Sequence, residues 1–259
     1  MRTVMKRTLA AICVLTVCLA MATAAEAKIT GIGTPARKSY VSNTDERQVI
    51  LYIGDSRVMF CTCGKKNSDA RTNFAFCFVN GGNVGVINPK TGKLSSRVRG
   101  YIEKYRSRNP VIVFAFGLNG NSNPEKNAKR VIRTYNKWIK AYPELRFYVE
   151  SIGPTKLSSG SYSNSNVIRL NKVLEEEFEP RGLWLDTYSY IVDNDIVNST
   201  GKGLRDNYHY KWKTCKKELL KIRELVETDI SAKKSDEAAD SSAVQETRTD
   251  AQKQATASS

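Results

Sequence analysis

Residues 48–56 read QVILYIGDS, and this stretch decides the fold. A strand with one wet face alternates polar and apolar residues. The unbroken apolar run at 48–53 is instead what a strand buried on both faces shows, as in a parallel sheet covered by helices. Gly54 follows, and Asp55 and Ser56 are residue types that begin helices. The same kind of run recurs outward along the chain: 74–79 (FAFCFV), 110–116 (PVIVFAF), 146–152 (RFYVESI, closed by Gly153 and Pro154) and a short 183–185. Helical patterns lie between these runs. Asn123 and Pro124 open the clearest, as N-cap and first helical residue, with Ala128, Val131, Ile132, Tyr135 and Ile139 as its apolar stripe. Val167, Leu170, Val173 and Leu174 repeat that spacing. So do Leu219, Leu220, Ile222, Leu225 and Val226. Strands alternating with helices predict the α/β class: a three-layer α/β/α sandwich around a flavodoxin-like parallel sheet of about five strands. In such sheets ligands bind beyond the carboxyl ends of the strands, so chemistry is expected in the loops that follow them.

Composition bounds the function. The chain has 259 residues, 41 Lys and Arg, 26 Asp and Glu, one His, six Cys, 41% hydrophobic residues and a formal charge of +15. That apolar share builds a core and excludes a wholly disordered chain. No apolar run reaches the roughly 18 residues of a membrane-spanning helix. A single histidine excludes mechanisms that need two. The Gly-rich lysine loop of the P-loop nucleotide hydrolases does not occur. Residues 1–27 read as a signal peptide: Arg2, Lys6 and Arg7, an apolar stretch, then Ala25-Glu26-Ala27 as a small-x-small cleavage site, so export to the cell surface or beyond is expected with cleavage after Ala27. Residues 28–47 form a lead-in, 48–227 the folded domain, and 228–259 a polar tail expected to be disordered. The leader's positive excess and the tail's negative excess cancel, so residues 28–227 carry the +15 by themselves.

Four features follow the strands. Ser56 sits where a helix begins, beside free backbone N–H groups and the positive end of a helix dipole. Residues 206–209 (DNYH) hold the only histidine, with Asp206 three residues before His209; a tight turn brings such a carboxylate to one imidazole nitrogen and leaves the other free. Residues 80–85 (NGGNVG) and 117–119 (GLN) supply glycine N–H groups and the Asn119 amide, the donors an oxyanion needs. Each feature alone is an ordinary cap, turn or surface histidine.

Together, and in this order, they resemble the SGNH (GDSL-type) hydrolase family, whose four blocks are a Gly-Asp-Ser nucleophile block, a glycine block, a Gly-x-Asn block and an Asp-x-x-His block. The resemblance spans about 48–227. It implies Ser56 as nucleophile, His209 as base and Asp206 as its partner. It also implies an oxyanion hole of the Ser56 N–H, the Gly85 N–H (Gly82 as fallback) and the Asn119 amide. Arg57 stands where many members have Leu, a variant familiar among bacterial members, and Gly120 stands where Asp is usual. The implied function is that of an exported serine esterase acting through an acyl-enzyme on O-acetyl or other short acyl esters of carbohydrate or cell-wall material, with no cofactor and no metal. An O-acyltransferase using the same triad and a non-catalytic cell-surface module are the alternatives. A protonated imidazole cannot take the serine proton, so activity is expected to fall in acid.

Three further expectations concern the surface and the cysteines. Tyr188, Tyr190, Tyr208, Tyr210 and Trp212 form either a rim for sugar or acyl groups or packing for the last helix. Lys126, Arg130, Arg133, Lys137 and Lys140 recur along one helical face, and the net charge favours anionic cell-wall polymers over any specific nucleic acid; flow-through from a heparin column at low salt would refute that attraction. In an oxidising compartment, Cys61 or Cys63 is expected to reach Cys215 and the other to reach Cys77, with a zinc site the rival reading.

Overall fold

A computed structural model describes residues 33–63, 68–120 and 122–257, with side chains to Asp236. The leader at 1–27 lies outside the described residues. Among the described residues six strands form one sheet: β1 (Ala36–Ser39), β2 (Ile50–Gly54), β3 (Phe74–Phe78), β4 (Val111–Ala115), β5 (Phe147–Glu150) and β6 (Trp184–Leu185), in the order β1-β3-β2-β4-β5-β6. The last five in that order run parallel, as the sequence predicts, and β1 adds an antiparallel edge from within the 28–47 lead-in. Five of the named helices are α1 (Ser56–Cys61), α2 (Ser95–Tyr105), α3 (Pro124–Ala141), α4 (Asn164–Phe178) and α5 (Thr187–Asp193), and α6 starts at Trp212.

Strand alternation sorts the core into two layers. Leu51, Ile53, Ala75, Cys77, Ile112, Phe114, Phe147 and Val149 face α2, α3 and α4, meeting Val98, Ile102, Val131, Tyr135, Trp138, Leu170 and Leu174. Ile50, Tyr52, Phe74, Phe76, Val111, Val113 and Tyr148 face the other way, meeting Val58 and Cys61 of α1, Ile191 of α5, and Cys215, Leu219, Ile222 and Val226 of α6. The architecture is therefore the three-layer sandwich predicted. Trp138 completes the α3 stripe and donates from its indole to the Ile87 carbonyl at 2.6 Å.

Helix α6 runs on to Ala257. Beyond 228 the residues are mostly Ala, Glu, Lys, Gln, Asp and Ser, without Gly or Pro; several are strong helix formers, and nothing breaks the helix already under way. The helix is tied to the body as far as Ile230, which packs against the core, and its neighbour Asp229 accepts from the Tyr148 hydroxyl at 2.6 Å. Among the described residues no helix is long and apolar enough to cross a membrane.

Register fixes where the loops emerge. Gly54 lies beside Phe78 on one neighbour and Ala115 on the other, so the chains leaving β2, β3 and β4 depart at one edge. A Cβ on Gly54 would stand 2.2 Å from Val58 and 2.8 Å from the Ala115 carbonyl, so only glycine allows the immediate turn into α1.

Candidate active site

Asp55 caps α1 by accepting from the Arg57 N–H at 3.0 Å, and Ser56 follows as the first helical residue. The N–H groups of a first turn have no partner within the helix, so the backbone at Ser56 presents a donor beside the hydroxyl. From the far end of the chain comes a tight turn at 206–209. One Asp206 oxygen accepts from the N–H groups of Tyr208 (3.0 Å) and His209 (2.8 Å). Its other oxygen lies 2.7 Å from His209 Nδ1. His209 Nε2 lies 2.8 Å from Ser56 Oγ. Residues separated by 153 positions in sequence thus meet in one relay. With Asp206 ionised, Nδ1 carries the proton and Nε2 has its lone pair toward the serine.

The His209 side chain is 13% exposed and that of Asp206 46%. Burial works against the Asp206 carboxylate, but the two backbone N–H groups and the imidazole outweigh it and hold its pKa below the ordinary carboxyl value. The imidazole is wedged between aromatic rings, Phe60 and Tyr208 each at 4.5 Å between centroids, and Tyr208 in turn stacks on Tyr162.

The donor loops lie close by. Asn119 Nδ2 donates to the second Asp55 oxygen at 2.8 Å and to the Gly82 carbonyl at 3.1 Å. Asp55 is buried, which raises its pKa, while the Arg57 N–H and charge, His209 and the Asn119 amide oppose the rise. Asp55 therefore has two tasks: it caps α1 and orients Asn119. Gly120 takes φ +85°, a left-handed conformation that suits glycine better than the usual Asp. The Gly85 N–H is given to Asn83 Oδ1 at 3.0 Å, closing the cap of a 3-10 turn, and the residue is exposed. Gly82 is buried and directly linked to Asn119 through its carbonyl.

The aromatic cluster divides. Tyr208 flanks the imidazole. Tyr210 is buried under the Arg57 guanidinium, and Trp212 packs on Arg71 away from the loops. Tyr188 accepts from Asn164 at 3.0 Å and lines a cleft of about 380 Å³ with Thr155, Lys156, Asp195 and Asn198. That cleft adjoins the histidine turn, to which the Lys156 N–H donates at the Asn207 carbonyl (3.0 Å). A larger cleft of about 530 Å³ lies at the opposite end of the sheet, around Gln48, Asn109 and Arg146. On α3, Lys126, Arg133, Lys137 and Lys140 are solvated, while Arg130 is half-buried and turned toward Gly120.

All four described cysteines are free thiols. Cys61 and Cys215 do approach each other, and with Glu218 they offer three buried ligand atoms within 4.8 Å of one another. A structural zinc ion takes four such ligands, so the set is one short. The second expected pairing fails: Cys63 is exposed in the α1 layer, whereas Cys77 points into the opposite core.

Solved structures share this architecture. The lipase/acylhydrolase from Enterococcus faecalis matches with a TM-score of 0.50 and 14% identity, over 70% of this chain and 95% of that one. A carbohydrate acetylesterase family member from Sinorhizobium meliloti matches with a TM-score of 0.50 and 13% identity, over 71% of this chain and 99% of that one. At these identities the likeness establishes the fold. No protein-family model matches the chain, and no curated protein matches it in sequence.

Proposed function

We propose that the protein is a serine esterase of the SGNH type that hydrolyses O-acetyl or other short acyl esters on carbohydrate, exported to the cell surface. One observation carries the reading. The Ser56 hydroxyl and, from a turn 150 or more positions away in sequence, the His209 imidazole and Asp206 carboxylate stand in a continuous relay, at 2.8 and 2.7 Å. Two features support it: the fold is shared with proteins described as an acylhydrolase and a carbohydrate acetylesterase, and the cleft beside the relay is lined by amide, hydroxyl and charged groups of the kind that bind sugars.

The chemistry follows from the geometry. Ser56 Oγ attacks the ester carbonyl carbon as its proton passes to His209 Nε2, and Asp206 stabilises the imidazolium through Nδ1–H. The carbonyl oxygen becomes an oxyanion beside the first turn of α1. There the N–H of Ser56, the N–H of Gly82 and the Asn119 amide are its donors. Asn119 turns one hydrogen from the Gly82 carbonyl to the oxyanion, while its bond to Asp55 keeps the amide in place. Collapse expels the alcohol, which takes the proton from His209. Water, deprotonated by the same nitrogen, then attacks the acyl-enzyme and frees the acid.

Replacing Ser56 by Ala is expected to abolish turnover across a panel of aryl esters and acetylated polysaccharides while leaving the melting temperature unchanged. A variant as fast as the wild type would refute the reading. Transfer of the acyl group to added alcohols in preference to water would redirect it to an acyltransferase.

A further inference from the structure

Arg57 follows the nucleophile directly, is 8% exposed, and extends away from solvent. Its guanidinium donates through Nε to the Tyr208 carbonyl (3.0 Å), through Nη1 to the Gly153 carbonyl (2.7 Å) and through Nη2 to the Pro154 carbonyl (3.0 Å). Its plane covers the Tyr210 ring at 4.7 Å. The two residues that flank His209 in sequence are thus both held by the residue that flanks Ser56. Among the described residues no carboxylate hydrogen-bonds to the guanidinium. Its charge is felt instead by the buried carboxyl groups of Asp55, Glu150 and Glu218. The backbone leaves room for this contact: a Cβ on Gly153 would fall 1.8 Å from the Tyr210 hydroxyl and 3.1 Å from Arg57 Nη1.

We propose that Arg57 is a positioning residue that sets the reach of His209 to Ser56 by clamping the histidine turn and the loop after β5 to the base of α1. Asp206 and Asn207 are exposed, and the carboxylate that shapes the turn belongs to the turn. Its other ties to the body are one backbone hydrogen bond, from the Lys156 N–H to the Asn207 carbonyl, and the ring contacts of Phe60 and Tyr162, so Arg57 supplies its side-chain hydrogen bond from the nucleophile helix. A planar group with five N–H donors reaches three carbonyls on two loops, which an ammonium or an apolar side chain cannot reproduce. Displacing a catalytic group by about 1 Å costs roughly 10²-fold in rate. The inference rests on the proposed serine chemistry for its consequence, and on the contacts alone for its geometry.

The sole histidine makes the test direct, because its imidazole gives one set of ring resonances. The experiment compares wild type, Arg57→Lys and Arg57→Ala. It reads kcat and KM on an aryl acetate, the melting temperature, and the His209 Nδ1–H resonance, with and without millimolar guanidinium chloride. Arg57→Ala is expected to lose about 10²-fold in kcat with KM within about twofold. Its Nδ1–H resonance should broaden or vanish, and guanidinium should restore part of both; Arg57→Lys should fall between. A wild-type kcat together with a wild-type imidazole resonance in Arg57→Ala would overturn the proposal. So would losses that track the melting temperature alone and are not relieved by guanidinium. Should the wild type hydrolyse no ester, the proposed function fails, and the imidazole resonance still decides the role of Arg57.

Discussion

At the scale of single residues, the sequence is most legible where chemistry leaves few choices. A lone histidine preceded by Asp206, and a serine after a buried run, can be picked out from spacing because a base needs a partner and a nucleophile needs an exposed turn. Spacing alone does not choose between Gly85 and Gly82, and no spacing rule reports that Asn83 closes a cap on the Gly85 N–H. The coupling of Asp55 to Asn119 was equally invisible, since it joins loops 64 positions apart. These contacts make graded predictions. Asp206→Asn should cut kcat by about 10²- to 10⁴-fold, because the carboxamide cannot hold the same tautomer. Asn119→Ala should cut it by about 10²- to 10³-fold through loss of one oxyanion donor. Steady-state kinetics on a single aryl ester checks both; an Asn119→Ala enzyme with unchanged kcat would remove the amide from the proposed oxyanion hole.

At the scale of elements, the five parallel strands were readable because burial on both faces makes them mostly apolar, Glu150 at the end of β5 being the charged exception. Strand β1 was not, because ARKS carries no such run. It is an edge strand, and a charged, mostly solvated edge is how sheets avoid pairing with other chains. Helix α2, with Ser, Arg and Lys interleaved among Val98, Tyr101 and Ile102, also gave too weak a stripe to find. The C-terminal helix is the opposite case: local propensity extends it past the point where packing stops. Its anchoring contacts end near Asp229, which meets Tyr148, Arg146 and Lys233. A chain ending at Asp236 should therefore melt within about 1 °C of the full chain. One ending at Glu227 loses the Tyr148 hydrogen bond, worth about 1 kcal/mol, and should melt ~2–4 °C lower. Thermal denaturation of the two truncations decides, and equal losses from both would show that the outer helix is packed too.

At the scale of the molecule, polar groups are buried beneath the relay as well as around it. Burial pushes Glu150 up to about 7, against the hydrogen bonds from Tyr52 and Thr187 and the nearby charge of Arg57. Glu218 is also raised, chiefly by burial and then by Glu150. The folded protein keeps the Glu150 proton over a range, from the ordinary carboxyl value of 4.5 to about 7, in which the unfolded chain has released it. Folding therefore takes up a proton there, and this site's contribution to stability falls as pH rises through the window and stays lower above it. Glu150→Gln cannot ionise. Its melting temperature relative to wild type should climb between pH 5 and pH 8, as followed by calorimetry, and a difference that does not change with pH would show that Glu150 is not held protonated.

The central claim is that the folded chain activates one serine out of the many it contains. Labelling with a fluorophosphonate, followed by peptide mass spectrometry, tests it most directly. The account predicts a single adduct on Ser56, absent after heat denaturation and strongly slowed in His209→Ala. A folded protein that takes no label at Ser56, or takes it equally fast without the imidazole, would contradict it.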